Sequence, residues 1–281
     1  MWALPCRSAF FSPYLVLLYH PLSPPSRAPT WLLEWPFVRY RSICLMHATS
    51  RPIATNQSGP HRDVEKRVDR ALRHPLRKPV AEHTREAFEQ ARAWYEREAG
   101  DEQRPLILDA GCGVGVSTRE LARQFDDHLV IGVDRSAERL SREHGEVGDN
   151  ALLVRADLVD FWRLALAAGW QPTRHYLLYP NPYPKSVHLK QRWHGHPVLP
   201  TILALGGRLE LRSNWRLYVE EFALALAQAT GTAAAVESFD PGSRYLTPFE
   251  RKYHASGQSL WRLVAELPHA PELVPCDTER S

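Results

Sequence analysis

No stretch of this 281-residue chain approaches the roughly 18 consecutive apolar residues of a membrane-spanning helix. The nearest run is "YLVLLY" at 14–19, with Arg7 ahead of it and "HPLSPPS" behind it. No A-x-A cleavage pattern follows, which sets a secretion signal aside. Cysteine is scarce as well: Cys6, Cys44, Cys112 and Cys276 show no C-x-x-C or metal-type spacing. That argues against a disulfide framework and a zinc site, and it fits a reducing cytoplasm. An excess of one charge is also missing, with 35 Lys and Arg against 32 Asp and Glu, a net +3. The whole-molecule charge therefore selects no partner; only its placement can. No internal repeat and no low-complexity tract is visible.

Hydrophobic residues make up 44% of the chain and charged residues 24%, an ordinary globular balance with ample material for a core. Residues 1–45 are rich in Pro, Trp, Phe and Leu, nearly free of acids, and without helical or strand period. Met46 then opens the polar segment "MHATSRPIATNQSGPHRD". The break predicts that 1–45 stand outside the fold, as a translated upstream extension or a poorly ordered arm. Residues 46–100 read as a polar, basic segment with helices, 101–270 as the main domain and 271–281 as a tail.

The periodicity supports that division. Val64, Val68, Ala71 and Leu72 recur at helical spacing until Pro75, and Ala87, Phe88, Ala91, Trp94 and Tyr95 share a face before Gly100. Strands and helices then alternate. Strands are expected at 105–111, 129–134, 151–157, 175–180 and 207–213, and helices at 116–125, 158–168, 197–204 and 215–230. Two closing strands, 233–240 and 259–267, have no evident helix between them. Alternation of this kind predicts an α/β fold with a doubly wound, mostly parallel sheet. The last two strands would form an antiparallel pair at one edge.

"LDAGCGVG" at 108–115 follows a strand and opens a helix, in the pattern Asp109-x-Gly111-x-Gly113-x-Gly115. Glycines permit a tight turn and a close backbone approach to a ligand. Asp134 ends the next strand, where a carboxylate can accept both hydrogens of a ribose diol. A nicotinamide loop of the form G-x-G-x-x-G fits poorly, because its third glycine would fall on Val116. The pattern resembles motif I of class I S-adenosylmethionine-dependent methyltransferases. The resemblance implies a Rossmann-like, seven-stranded sheet with an antiparallel edge strand and S-adenosyl-L-methionine as cofactor. Asp109, Gly111, Gly113, Gly115, Asp134 and Asp157 would hold it.

The fourth strand ends in "YPNPYPK". Its prolines fix the backbone, and in a doubly wound sheet the carboxyl ends of strands face the ligand. Here the chain resembles the tRNA (guanine-N7)-methyltransferases. That family carries P-D-P-W at this place, then a lysine and H-x-K-R-R, where this chain reads Pro180-Asn181-Pro182-Tyr183, Lys185 and His188-x-Lys190-Gln191-Arg192. The family's T-D-W is matched by Ser213-Asn214-Trp215, and its T-K-F-E by Thr247-Pro248-Phe249-Glu250. The ordered set spans 105–267. It implies methyl transfer to guanine N7 in tRNA, at the variable-loop guanine. Asn181 would lie beside the donor as the catalytic position, and Lys185, His188, Lys190, Arg192, Asn214, Thr247 and Glu250 would contact substrate. The expected partner is tRNA, with no membrane, and the expected state is a monomer or loose homodimer.

Two family aspartates stand here as Asn181 and Asn214. A carboxylate accepts both donors of a guanine Watson–Crick edge, whereas an amide accepts through one atom, so Asn181 is expected to hold guanine less firmly. Two other readings use the same residues. Amino-group methyltransferases acting on adenine carry [D/N/S]-P-P-[Y/F] here, with the second proline and the aromatic exchanged. A non-catalytic RNA-binding member of the fold would also tolerate the loss of both aspartates. Basic residues cluster between Arg51 and Lys78, with eight Lys or Arg against three acids. They cluster again at Lys185, Lys190 and Arg192, and at Arg244, Arg251 and Lys252. Such clusters suit phosphates, although the first also suits a solvated helix face. His188, His194 and His196 have no acidic or cysteine partner at metal spacing, so no metal is expected; they read as RNA-facing or surface histidines. A chain begun at Met46 should melt at the same temperature as the full chain in a calorimetric scan. A large loss would show that 1–45 pack on the domain.

Overall fold

The computed structural model describes residues 50–101 and 103–269. The expectations for 1–45 and 271–281 lie outside the described residues. Two helices come first, α1 (Val64–Arg73) and α2 (Glu82–Ala99). Then follow β1 (Leu106–Ala110), α3 (Val116–Gln124), β2 (Leu129–Asp134), a single turn α4 (Ala137–Leu140), β3 (Ala151–Arg155), α5 (Leu158–Ala167) and β4 (Arg174–Leu178). Two short 3-10 turns, Ser186–Gln191 and Trp193–Gly195, lead to α6 (Leu199–Ala204), β5 (Gly207–Ser213) and α7 (Arg216–Thr230). β6 (Val236–Phe239), α8 (Pro248–Ala255) and β7 (Leu260–Leu267) complete the described chain.

The seven strands form one sheet in the order β3-β2-β1-β4-β5-β7-β6. β1 to β5 pair in parallel, and β7 runs antiparallel to both β5 and β6. The expected antiparallel edge pair is therefore present, with β7 inserted between β5 and the outermost β6. The sequence reading did not anticipate α8. It is only two turns long and starts on Pro248, with Thr247 capping it by accepting the Glu250 N–H. Proline at the first helical position and threonine as cap are a start signal that its polar sequence hides from a search for apolar period.

The central strands β1 and β2 are buried along their whole length, as strands covered on both faces must be. One face packs a large core against α1, α2, α5, α6 and α7, including Phe88, Phe161, Trp162, Ile202, Tyr218 and Phe222. The other carries a smaller core of Ile107, Leu121, Val130 and Tyr176 beneath α3. α3 lies so close to β2 that a Cβ on Gly132 would stand 2.1 Å from Thr118 Oγ1. Glycine there sets the depth at which the helix docks. Among the described residues no helix is long and apolar enough to cross a membrane.

The large core holds one titratable group without a charge partner. His175 on β4 is fully buried and accepts a hydrogen bond from Trp162 Nε1 at its Nε2, 3.1 Å away. Its proton therefore sits on Nδ1, which has no partner. Burial pushes the imidazole down to about 3. An unfolded histidine takes up a proton as pH falls below its ordinary value of 6.5, and the folded one does not until about 3. Stability is thus complete above about 6.5 and lost as the pH falls toward 3. His175→Gln keeps an acceptor for Trp162 without titrating. It should flatten the fall of melting temperature between pH 6.5 and 4, the upper part of the window in which the folded and unfolded forms differ; an unchanged slope would place the acid sensitivity elsewhere.

Candidate active site

A crevice of about 810 Å³ opens at the carboxyl ends of β1 to β5. One half is built by the loops after β1, β2 and β3. Gly111, Gly113 and Gly115 all have positive φ, at 85°, 61° and 76°. The Gly111 and Cys112 N–H groups hang the loop on the Val133 carbonyl at 2.8 and 3.1 Å. Asp134 takes the Gly113 N–H on Oδ2 at 3.1 Å and the Ser136 N–H on Oδ1 at 2.8 Å. Gly111, Gly113, Asp134 and Asp157 line the crevice, and a Cβ on Gly113 would meet nothing within 4 Å. Asp157 also caps α5, accepting the Val159 and Asp160 N–H groups.

Asp109 and Gly115 do not line the crevice. Asp109 is 1% exposed, and its Oδ2 accepts the Ser117 and Thr118 hydroxyls at 2.6 and 2.7 Å. It fastens the start of α3 to β1, and burial raises its carboxyl to about 6 against those two bonds. Gly115 sits where a side chain would strike Leu153 and Arg119. Buried Arg119 holds the Gly115 and Gly145 carbonyls and so ties the glycine loop to the turn before β3. The sequence reading missed this arginine, because a charged residue on a helix is normally exposed. Cys112 lines the crevice, but burial and the Asp109 and Asp134 carboxylates push its thiol well up, which suits packing rather than nucleophilic attack.

The other half is the proline corner. Tyr179 and Tyr183 flank Pro180-Asn181-Pro182 and both have positive φ, at 51° and 44°. Left-handed tyrosines cost on the order of 1–3 kcal/mol each and persist only where neighbours over-determine them. Asn181 Oδ1 accepts the Tyr183 N–H at 3.3 Å. That bond orients the amide, and its Nδ2 donor remains for a ligand. Asn214 and Thr247 line the same half. Asn214 donates from Nδ2 to Gln258 Oε1 at 2.8 Å. Lys185 and Lys190 are exposed beside the corner, and the His188 ring meets Tyr183 edge-on at 6.2 Å.

Arg192, Glu250 and His194 correct the sequence reading. Arg192 is 0% exposed, so it cannot face RNA. Its Nε and Nη2 donate to the Tyr183 carbonyl, its Nη1 pairs with Glu221 and its Nη2 also reaches Gln57 Oε1. The guanidinium lies over the Trp215 ring. Glu221, also 0% exposed, takes Arg192 and His194 on Oε2 and the Gln57 side chain and His61 N–H on Oε1. Burial alone would raise its carboxyl; the hydrogen bonds and charge around it bring it down to about 2. His194 is buried, held neutral by desolvation, and donates from Nε2. Glu250 is buried as well, accepting the Tyr179 hydroxyl at 3.0 Å, Arg212 Nη1 at 3.1 Å and the Leu246 N–H at 3.1 Å. It holds Tyr179 in its strained conformation from beneath.

Sequence reasoning also missed an aromatic rail. Phe249 is 50% exposed at the crevice and stacks on Tyr253 at 6.1 Å and 22°, and Tyr253 meets Tyr179 at 5.7 Å. Its three members come from α8 and the end of β4, far apart in the chain.

A parallel sheet with an inserted antiparallel β7, a glycine loop after β1 and an acidic end to β2 define the class I methyltransferase fold. Residues 103–263 match the model of the family described as "Putative methyltransferase", well over half of the 281 residues. The chain belongs to that family. The tRNA (guanine-N(7)-)-methyltransferase of Thiobacillus denitrificans is 29% identical over 170 residues, covering 57% of this chain and 74% of the relative. That of Verminephrobacter eiseniae is 30% identical over 189 residues, covering 63% and 66%. Among solved structures, the 16S rRNA methyltransferase KamB aligns over 70% of this chain and 99% of its own at 20% identity, with a TM-score of 0.45.

Removing one partner of a buried ion pair strands the other, at a cost of about 3–5 kcal/mol. Arg192→Met should lower stability by that amount in a denaturant titration, and adding Glu221→Met should cost less than the two separate losses together. Lys190→Ala should leave the midpoint in place. An unmoved midpoint for Arg192→Met would return that arginine to the surface.

Proposed function

We propose that this chain methylates guanine N7 in tRNA, with S-adenosylmethionine as donor, and that the variable-loop guanine is its target. The observation that carries the reading is the strained Pro180-Asn181-Pro182-Tyr183 corner facing the glycine loop and Asp134 across one crevice. Relatives named for this activity support it, at 29% and 30% identity. The residues present fit the donor: an open, glycine-lined loop for close backbone approach and the Asp134 carboxylate for a ribose diol. When bound, S-adenosylmethionine supplies a methyl group on a sulfonium sulfur, open to in-line attack by a lone pair.

The chain's own task is alignment. Guanine N7 attacks with a lone pair and sheds no proton, so no general base is required, and orientation and desolvation can supply most of the rate. The amide at 181 presents its Nδ2 donor, and guanine O6, next to N7, is an acceptor that can take it. A bond from Asn181 to O6 turns N7 toward the donor. Phe249 and Tyr253 offer flat faces on which a base can stack. Exposed Lys185 and Lys190 at the corner, with Arg244, Arg251 and Lys252 around α8, suit phosphates. We place the enzyme in the cytoplasm, acting as a monomer or loose homodimer.

The test is nucleoside mass spectrometry of tRNA treated with the purified chain and donor. The expected product is 7-methylguanosine. N6-methyladenosine would move the chain to the amino-group enzymes, and no product despite donor and RNA binding would make it a non-catalytic binder. Asp134→Ala should abolish or greatly weaken donor binding in calorimetry. Asn181→Ala should keep donor binding and lose about tenfold or more in rate, the scale of one lost orienting hydrogen bond.

A further inference from the structure

We infer that residues 50–61 form a brace that sets the geometry of the substrate half, with Thr55 and Gln57 as positioning residues. The inference rests on the proposed function only in taking the corner to face the substrate.

This segment is neither helix nor strand, yet it is fastened at both ends and in the middle. At its start, the Ser50 carbonyl accepts Gln258 Nε2 at 2.8 Å. That bond turns Gln258 so that its Oε1 must accept, which in turn requires a donor at position 214; Asn214 Nδ2 is that donor, at 2.8 Å. An aspartate there would set oxygen against oxygen. In the middle, Thr55 Oγ1 donates to the Pro184 carbonyl at 2.9 Å and accepts the Gln57 N–H at 3.1 Å. Gln57 bridges the buried pair, its Oε1 taking Arg192 Nη2 at 2.6 Å and its Nε2 reaching Glu221 Oε1 at 3.0 Å. At its end, the His61 N–H is held by the same Glu221 oxygen at 2.9 Å.

Three successive carbonyls of the corner are thereby pinned: Tyr183 and Lys185 by Arg192, and Pro184 by Thr55. Tyr183 is the left-handed residue whose N–H orients Asn181. Freeing its carbonyl or the next one lets the corner relax toward ordinary dihedrals and releases Asn181 from its aim. The brace thus reaches both asparagines without lining the crevice itself.

Thr55 is exposed, so replacing it leaves the core intact. Thr55→Val keeps shape and loses the hydroxyl, Thr55→Ser keeps the hydroxyl, and Gln57→Leu removes the bridge. In the full chain, Thr55→Val should lower kcat on tRNA by about fivefold, the worth of one hydrogen bond, and Gln57→Leu by more. The donor dissociation constant should stay within about twofold of the parent's, since the donor half is untouched. Thr55→Ser should restore kcat. Hydrogen–deuterium exchange should rise at amides 183–192 in the Val and Leu variants alone. Unchanged exchange there, or activity and donor affinity falling together, would overturn the brace. Raised exchange in these variants, with no methylated product from the parent chain, would leave the brace standing and remove the proposed function instead.

Discussion

The buried pair between Arg192 and Glu221 is the constraint on which the substrate half depends. Both groups are 0% exposed, and neither could remain charged there alone. Glu221 is surrounded by four donors from two places in the chain: Gln57 and His61 before α1, and Arg192 and His194 after the corner. Because the carboxylate sits on the buried face of α7, it fixes the 3-10 turns and the N-terminal segment relative to the sheet. Every polar contact of the Glu221 carboxylate is met, though His194 Nδ1 has no partner, and such a network tends to select one arrangement, since an alternative leaves further polar groups unpaired in a low-dielectric interior.

That arrangement is what permits strain at the corner. Tyr179 is held by Glu250 beneath it, and Tyr183 by Arg192 and Asn181. Charged residues that look like ligands in sequence thus serve as scaffolding, while the groups that face the crevice on the substrate side are neutral amides, a threonine, prolines and aromatic rings. The donor half follows the same division. Asp109 and Arg119 are buried fasteners of the glycine loop, and Asp134, Glu138 and Asp157 are the carboxylates that reach the crevice. Uncharged groups on the substrate side suit a reaction that moves no proton from the base.

The sequence by itself determined the sheet and its order of use. Apolar runs of strand length alternate with 3.6-period helices, and each glycine, proline or acidic residue at a strand end marks where the chain turns toward the ligand; those signals are local, so β1 to β5, the glycine loop, Asp134 and the corner were legible. What lay beyond reach was which charges are buried. Arg192 and Glu221 are 29 residues apart, and Arg212 and Glu250 are 38 apart. Nothing in either neighbourhood says that a partner waits in the interior, so each reads as a surface group. The brace at 50–61 has no period at all, being held by side chains and single carbonyls rather than by a repeating ladder. Only the tertiary structure decided these points, because desolvation and pairing belong to the folded arrangement and not to any stretch of chain.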